Sequence, residues 1–267
     1  MTPSEEIQQQ IKNGDLTAAI AATKAAIRKA PTDPELRFML FQTLSLAADW
    51  EAASNQLVAY SELTGRQSPL PIVFNDVIHA EVRRKHVFLG QEAPTIFGEP
   101  PEWVSYLVQS LSQSAQGNPA DAIRLRSEAL EQAPAVSGSI NGTPFEWLMD
   151  GDSRMGTLFE AIINGQYYWV PQNRLRSVTL EEPTQARDAI WAAAELSLEN
   201  DARISAFIPV RYPGAAGWKS DLLKLSRETD WESPAEGFYV GLGQRVLMTN
   251  DGEFPLLDVR QIEFNAL

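Results

Sequence analysis

Apolar residues in the first half of the chain recur at helical spacing. Leu16, Ile20, Thr23, Ile27 and Ala30 lie three or four residues apart and trace one face of a helix. Gly14 and Asp15 precede that face, and Pro31 and Pro34 follow it. The glycine closes a preceding helix, the aspartate caps the new one and the prolines stop it. Val73, Val77, His79, Val82 and Val87 predict another helix over Ile72 to Leu89. From about Pro134 the texture changes to short alternating segments between Gly- and Pro-rich turns. Gln166 to Pro171 and Arg174 to Leu180 read as strands. Glu195 to Leu198 and Arg203 to Arg211 flank Asn200-Asp201 as a hairpin. Val246 to Thr249 and Glu253 to Val259 flank Asn250-Asp251-Gly252 as another. Short helices are predicted over Arg154 to Asn164 and Ser220 to Glu228. The sum is a small, mostly antiparallel β region of five or six strands, barrel-like in character.

A repeat organises the front half. Gly14, Ala19, Ala26 and Pro31 return as Gly117, Ala122, Ala129 and Pro134, each displaced by 103 residues. A partial copy 34 residues after the first contains Ala48 and Ala53, with Asp49 matching Asp15 and Trp50 matching Leu16. Thirty-four is the tetratricopeptide period. Small residues at the two Ala positions let paired helices approach, glycine permits the turn, and proline ends the second helix. The predicted architecture is an α+β multidomain chain. Tetratricopeptide-like helical hairpins occupy 1–140, and a smaller β-rich domain packed on them occupies 141–267. The concave trough of stacked hairpins holds a peptide or helix in such folds. The plainer alternative is a helical cap that only supports the second domain.

Composition narrows the function classes. The chain has 267 residues and no cysteine, so disulfides, thiolate metal sites and a cysteine nucleophile are ruled out. The net charge of −13 is shared by both halves, and no basic tract exists to neutralise phosphates. Nucleic acid is therefore not an expected partner, whereas basic protein surfaces are. No apolar run approaches a membrane span, and the start MTPSEEIQQQIK lacks the apolar core of a secretory signal.

Candidate chemistry is sparse. Asp150-Gly151-Asp152-Ser153-Arg154 places two carboxylates two residues apart, but the calcium-loop pattern fails at Arg154 and lacks its closing glutamate. A helix start capped by Asp152 fits better, with Arg154 paired to Asp150 or Asp152. His79 and His86 share a helix face without a third ligand nearby, so no metal or other cofactor is expected. No nucleophile-elbow or Walker sequence occurs. Gly241-Leu242-Gly243 lacks the third glycine of a dinucleotide loop. Glu146, Glu160 and Glu181 have no evident catalytic partner. The alternative of a small-ligand or metal-dependent enzyme rests on the acidic turn Asp150 to Arg154.

Aromatics cluster near the predicted boundary as Trp103, Phe145, Trp147, Tyr167, Tyr168 and Trp169. On a strand Tyr167 and Trp169 face one way and Tyr168 the other. Burial of Trp103, Trp147, Tyr167, Tyr168 and Trp169 together is the favoured reading, as core or domain seam. Two other readings stay open. In one, the outward aromatic borders a partner pocket with Glu99, Asp150 and Asp152; in the other, the aromatics hold a dimeric scaffold together. The candidate partner-binding residues are Phe38, Phe41, Trp50, Glu99, Trp103, Asp150, Asp152, Arg154 and Tyr168, and no catalytic residue is assigned.

Five stretches resemble the ImpE/TagJ family of bacterial type VI secretion accessory proteins. They are APTIFGEPPEW (Ala93 to Trp103), GTPFEWLMDGDSR (Gly142 to Arg154), EAIINGQYYWVP (Glu160 to Pro171), IPVRYPG (Ile208 to Gly214) and GQRVLMTNDGEFPLLDVRQI (Gly243 to Ile262). Gly151 departs from the alanine common in the family's acidic turn. The resemblance implies a cytoplasmic, non-enzymatic adaptor at the contractile sheath. It implies that the N-terminal helix of the small sheath subunit TssB is the partner, and it links the family to sheath disassembly by the AAA+ ATPase ClpV.

Overall fold

The computed structural model describes residues 2–65 and 68–265. Helices come first: α1 (Pro3–Lys12), α2 (Leu16–Lys29), α3 (Pro34–Leu46), α4 (Trp50–Leu63) and α5 (Leu70–Phe88). A two-residue strand, β1 (Thr95–Ile96), interrupts them before α6 (Glu102–Ala115) and α7 (Pro119–Gln132). The repeat read from the sequence is visible in these elements. Helices α2, α4 and α7 begin at equivalent positions, Leu16, Trp50 and Pro119, and each has 14 residues. Asp15 and Asp49 cap the first two through Ala18 N–H at 2.7 Å and Ala52 N–H at 3.2 Å. Ala19, Ala26, Ala122 and Ala129 are all buried where paired helices meet.

The remaining strands follow α7. They are β2 (Gly138–Ile140), β3 (Thr143–Phe145), β4 (Leu148–Asp150), β5 (Leu158–Ile163), β6 (Gln166–Pro171) and β7 (Leu175–Leu180). After these come β8 (Trp191–Leu198), β9 (Arg203–Pro209), a short helix α8 (Asp221–Lys224), β10 (Thr229–Ala235) and β11 (Phe238–Gly243). The chain closes with β12 (Val246–Thr249), β13 (Glu253–Pro255) and β14 (Gln261–Phe264). Nine of them form one sheet in the order β1-β6-β5-β9-β8-β7-β14-β2-β3. A second sheet runs β13-β12-β4, and β10 pairs with β11 alone. Every pairing is antiparallel except β1 on β6. The class predicted from sequence, helical hairpins followed by a mostly antiparallel β region, is the one observed.

Three expectations need correction. The strands outnumber the predicted five or six, and the large sheet has two free edges instead of closing as a barrel. Arg154 to Asn164 is not a helix: a turn leads into β5, whose six residues are all buried. A strand buried on both faces reads as a continuous apolar run, which periodicity alone does not separate from a buried helix.

The third correction concerns the trough, which the chain fills with its own sheet. The Trp191 indole on β8 stacks against Phe41 of α3 at 6.4 Å, Trp50 of α4 at 5.8 Å and Phe74 of α5 at 6.0 Å. Phe74 also meets Phe207 of β9 at 5.7 Å. One apolar core therefore joins the helices to one face of the sheet, and a second core lies on the other face around Phe159, Val178, Ile208 and Ile262. A foreign helix has no room between the hairpins and the sheet.

Candidate functional site

The acidic turn is the best place to build from. β4 delivers Asp150 and the bend beyond it delivers Asp152, both nearly inaccessible to solvent. Asp152 is held by Arg154, whose Nε donates at 2.8 Å, and by the Gly241 N–H at 3.0 Å. Asp150 accepts from Asp152 N–H at 2.8 Å, from Tyr212 hydroxyl at 3.2 Å and from Arg245. The oxygens of both carboxylates are thus engaged by the protein's own donors. Burial pushes the Asp150 carboxyl up to about 6, with Arg245 opposing the rise.

Arg245 also donates to Glu160, placed by β5 at the seam between sheet and helices. Glu160 takes two more hydrogen bonds from the Arg84 guanidinium of α5, at 2.6 and 2.8 Å. The Tyr167 hydroxyl donates to it at 2.5 Å, and Trp169 Nε1 donates to that hydroxyl at 2.7 Å. Burial would raise the Glu160 carboxyl, but Arg84 and Arg245 outweigh it and hold the group near about 2. Arg84 reaches on to Glu81, which accepts from Trp191 Nε1 at 3.0 Å. Arg211 completes the cluster without a direct carboxylate partner among the described residues. It donates to the Leu46 and Lys224 carbonyls at 2.6 Å and to the Ser45 carbonyl at 2.9 Å. Burial lowers it to about 10, against the pull of Glu81.

This network welds α3, α5, β4, β5 and the segment around Arg245 into one body. Its positive and negative groups are interleaved, as buried charges require. Sequence reasoning missed Glu81, Arg84, Arg211 and Arg245, and it named Glu160 without finding its partners. A signal existed: Glu81 and Arg84 fall on the same α5 stripe as Phe74, Val77 and Val87, and Glu160 interrupts the apolar run LFEAII. Charges placed where the pattern demands apolar residues must find partners inside.

The nine candidate contact residues are not gathered on one surface. Phe38, Phe41 and Trp103 are core residues, and Asp150 and Asp152 are consumed by the network, so these five are corrected from recognition to structure. The apolar faces of α3 and α6 lie in the core that the helices share with the sheet. Trp50 is half-buried beneath Arg211 and Trp191. Arg154 is half-buried over the Phe88 ring at 4.7 Å. Glu99 is exposed, and Tyr168 is half-buried edge-on to Phe97 at 5.9 Å, beside the β1–β6 edge. Joint burial of the five aromatics also fails: Tyr167, Trp169 and Trp103 are buried, Tyr168 partly, and Trp147 is 37% exposed.

The accessible features lie elsewhere. Six of the nine large apolar residues exposed among the described residues are on α4, α5 or its cap, led by Ile72 at 70% and Val58 at 57%. One cleft of about 360 Å³ runs between α4 and α5. A larger one of about 680 Å³ lies between α5 and the sheet. They share Asp76, so the exposed ridge of α5 separates them. Gly165, at φ +73°, makes the β5–β6 turn so close to this ridge that a Cβ there would lie 2.6 Å from the Asp76 Cβ.

Helical hairpins bonded through a buried ion-pair network to the face of an antiparallel sheet define an α+β scaffold with its open surfaces outside the hairpins. An X-ray crystal structure of a Vibrio parahaemolyticus protein shares that fold, with a TM-score of 0.88 and 24% identity over 97% of both chains. A model of the family described as ImpE protein matches residues 142–263. A Pseudomonas aeruginosa protein described as type VI secretion system accessory component TagJ is 37% identical over 257 residues, 96% of this chain and 90% of the relative. The chain belongs to the ImpE/TagJ family.

Proposed function

We propose that the protein is a non-enzymatic accessory component of a bacterial type VI secretion system. It acts in the cytoplasm as an adaptor that binds the N-terminal helix of the small sheath subunit TssB and aids ClpV-linked sheath disassembly. The observation that carries this reading is the 37% identity to the type VI accessory component TagJ across nearly the whole chain. Two physical features support it. The net charge of −13 favours fast encounter with a basic segment. The exposed apolar residues of α4 and α5 offer a surface of the kind that amphipathic helices cover. With the interior trough occupied by Trp191, recognition takes place outside the trough.

Calorimetric titration of the full chain with a peptide of the TssB N-terminus tests the reading. Saturable heat that weakens as salt rises is the expected result. No heat, together with no co-migration on size exclusion at high concentration, removes TssB as the partner.

A further inference from the structure

The helical layer covers only part of the nine-stranded sheet. Across β5, β9, β8 and β7 one row of side chains on the helix-facing side reads Ile162, Phe207, Ala193, Glu181, as the register and the Glu181 N–H to Ala193 carbonyl bond establish. The row runs from a core isoleucine through half-buried Phe207 to a half-buried alanine and ends on an exposed carboxylate. The next row along β9, β8 and β7 is Ser205, Glu195 and Thr179, all exposed. The floor of the large cleft is therefore the place where helix packing stops. Val73 of α5, 40% exposed, forms its wall, and half-buried Ala193 has the smallest side chain of the sheet row that floors it.

A helix is about 10–12 Å across, and strands are spaced by about 4.8 Å, so one helix covers roughly two strands. The bare face over β8 and β7 beside α5 is at least two strands wide and continues onto exposed Gln261 and Glu263 of β14. Charge is arranged to match. Asp76 stands on the α5 side, and Glu181 and Glu195 stand on the sheet side; no lysine, arginine or histidine is among the described residues lining the cleft. Glu195 has one exposed partner outside the cleft, Arg203 at 3.3 Å, and Arg187 beyond Glu181 is paired with Asp188 at 3.7 Å.

We infer that this lane is the docking site of the partner, a basic amphipathic helix that lies beside α5 and extends the helical layer by one member. Its apolar stripe rests on Val73, Phe207 and Ala193, with one residue seated over Ala193. Its cations face Asp76 along one edge and Glu181 and Glu195 along the other. Steric fit over the alanine sets the register, and the carboxylates set the encounter rate and its salt dependence. The inference rests on the adaptor reading and adds where and how the helix is held.

The test titrates the TssB N-terminal peptide into the full-length protein and three variants, with circular dichroism melts run alongside. Ala193→Arg puts a bulky side chain on that floor and is expected to weaken binding by roughly tenfold or more. The double neutralisation Asp76→Asn with Glu181→Gln adds no bulk; it is expected to weaken binding several-fold at low salt and to flatten the salt dependence. Glu232→Gln, exposed on the separate β10–β11 hairpin, is expected to leave binding unchanged. If Ala193→Arg does not fold, the double neutralisation decides. Wild-type binding with both cleft variants within about twofold of it overturns this site and leaves the adaptor reading standing. Absence of wild-type binding overturns the adaptor reading and the site with it.

Discussion

Glu160 shows how one residue decides whether a buried charge cluster is stabilising. Two guanidiniums and a phenol converge on a carboxylate with no solvent access. Glu160→Gln leaves Arg84 short of its main counter-charge and Arg245 with Asp150 alone, and breaking such a pair costs about 3–5 kcal/mol. Urea unfolding midpoints measure this. The pH dependence follows from the shifts. Glu160 is depressed from 4.5 to about 2, so its contribution is complete above pH 4.5 and is lost as pH falls toward 2. Asp150 is raised from 3.8 to about 6, so the folded state holds the extra proton and stability declines as pH rises from 4 to 6. Unfolding measured from pH 2.5 to 7 should lose the acid limb in Glu160→Gln and the 4-to-6 decline in Asp150→Asn. From sequence, the Asp152–Arg154 pair was legible because its members are two residues apart. The Glu160 cluster was not, because Arg84 and Arg245 lie 76 and 85 positions from it.

Among elements, β8 joins the two halves through a single side chain. Trp191 stacks on α3, α4 and α5 at once and donates its N–H to Glu81. Trp191→Ala is expected to cost about 3–5 kcal/mol and to leave Glu81 without that donor. Thermal unfolding followed by far-ultraviolet dichroism should fall in midpoint and broaden as helices and sheet lose their coupling. Helices α2, α4, α5 and α7 were legible in the sequence, since caps, glycine turns, alanine contacts and apolar spacing are local signals; α3 was not singled out. The hairpins β8–β9 and β12–β13 were legible from Asn- and Asp-containing turns. β5 was misread because burial on both faces erases alternation. The two residues of β1, which run parallel to β6, carry no period at all.

For the whole molecule, the filled trough means that the helical half is not a free-standing module. A fragment of residues 1–133 would leave Phe41 and Phe74 without Trp191, and Phe74 without Phe207 as well. It is expected to bind a hydrophobic dye and to associate on size exclusion, where the full chain does neither. Sequence periodicity indicated stacked hairpins and hence a trough; what covers it depends on sheet residues more than 100 positions away. Phe38 and Phe41 accordingly lie inside, and the docking lane we infer lies outside, beside Val73.

Arg211 places a cation against carbonyls at the ends of α3 and α8, where helix dipoles favour positive charge. Leu46 and Arg211 are separated by 165 residues. At about 5–20 residues per second, ribosomal synthesis leaves α3 waiting roughly 8–30 s for its clasp. For most of that interval the nascent hairpins present an uncovered aromatic flank, so the front end reaches its final packing only once the last third of the chain has been made.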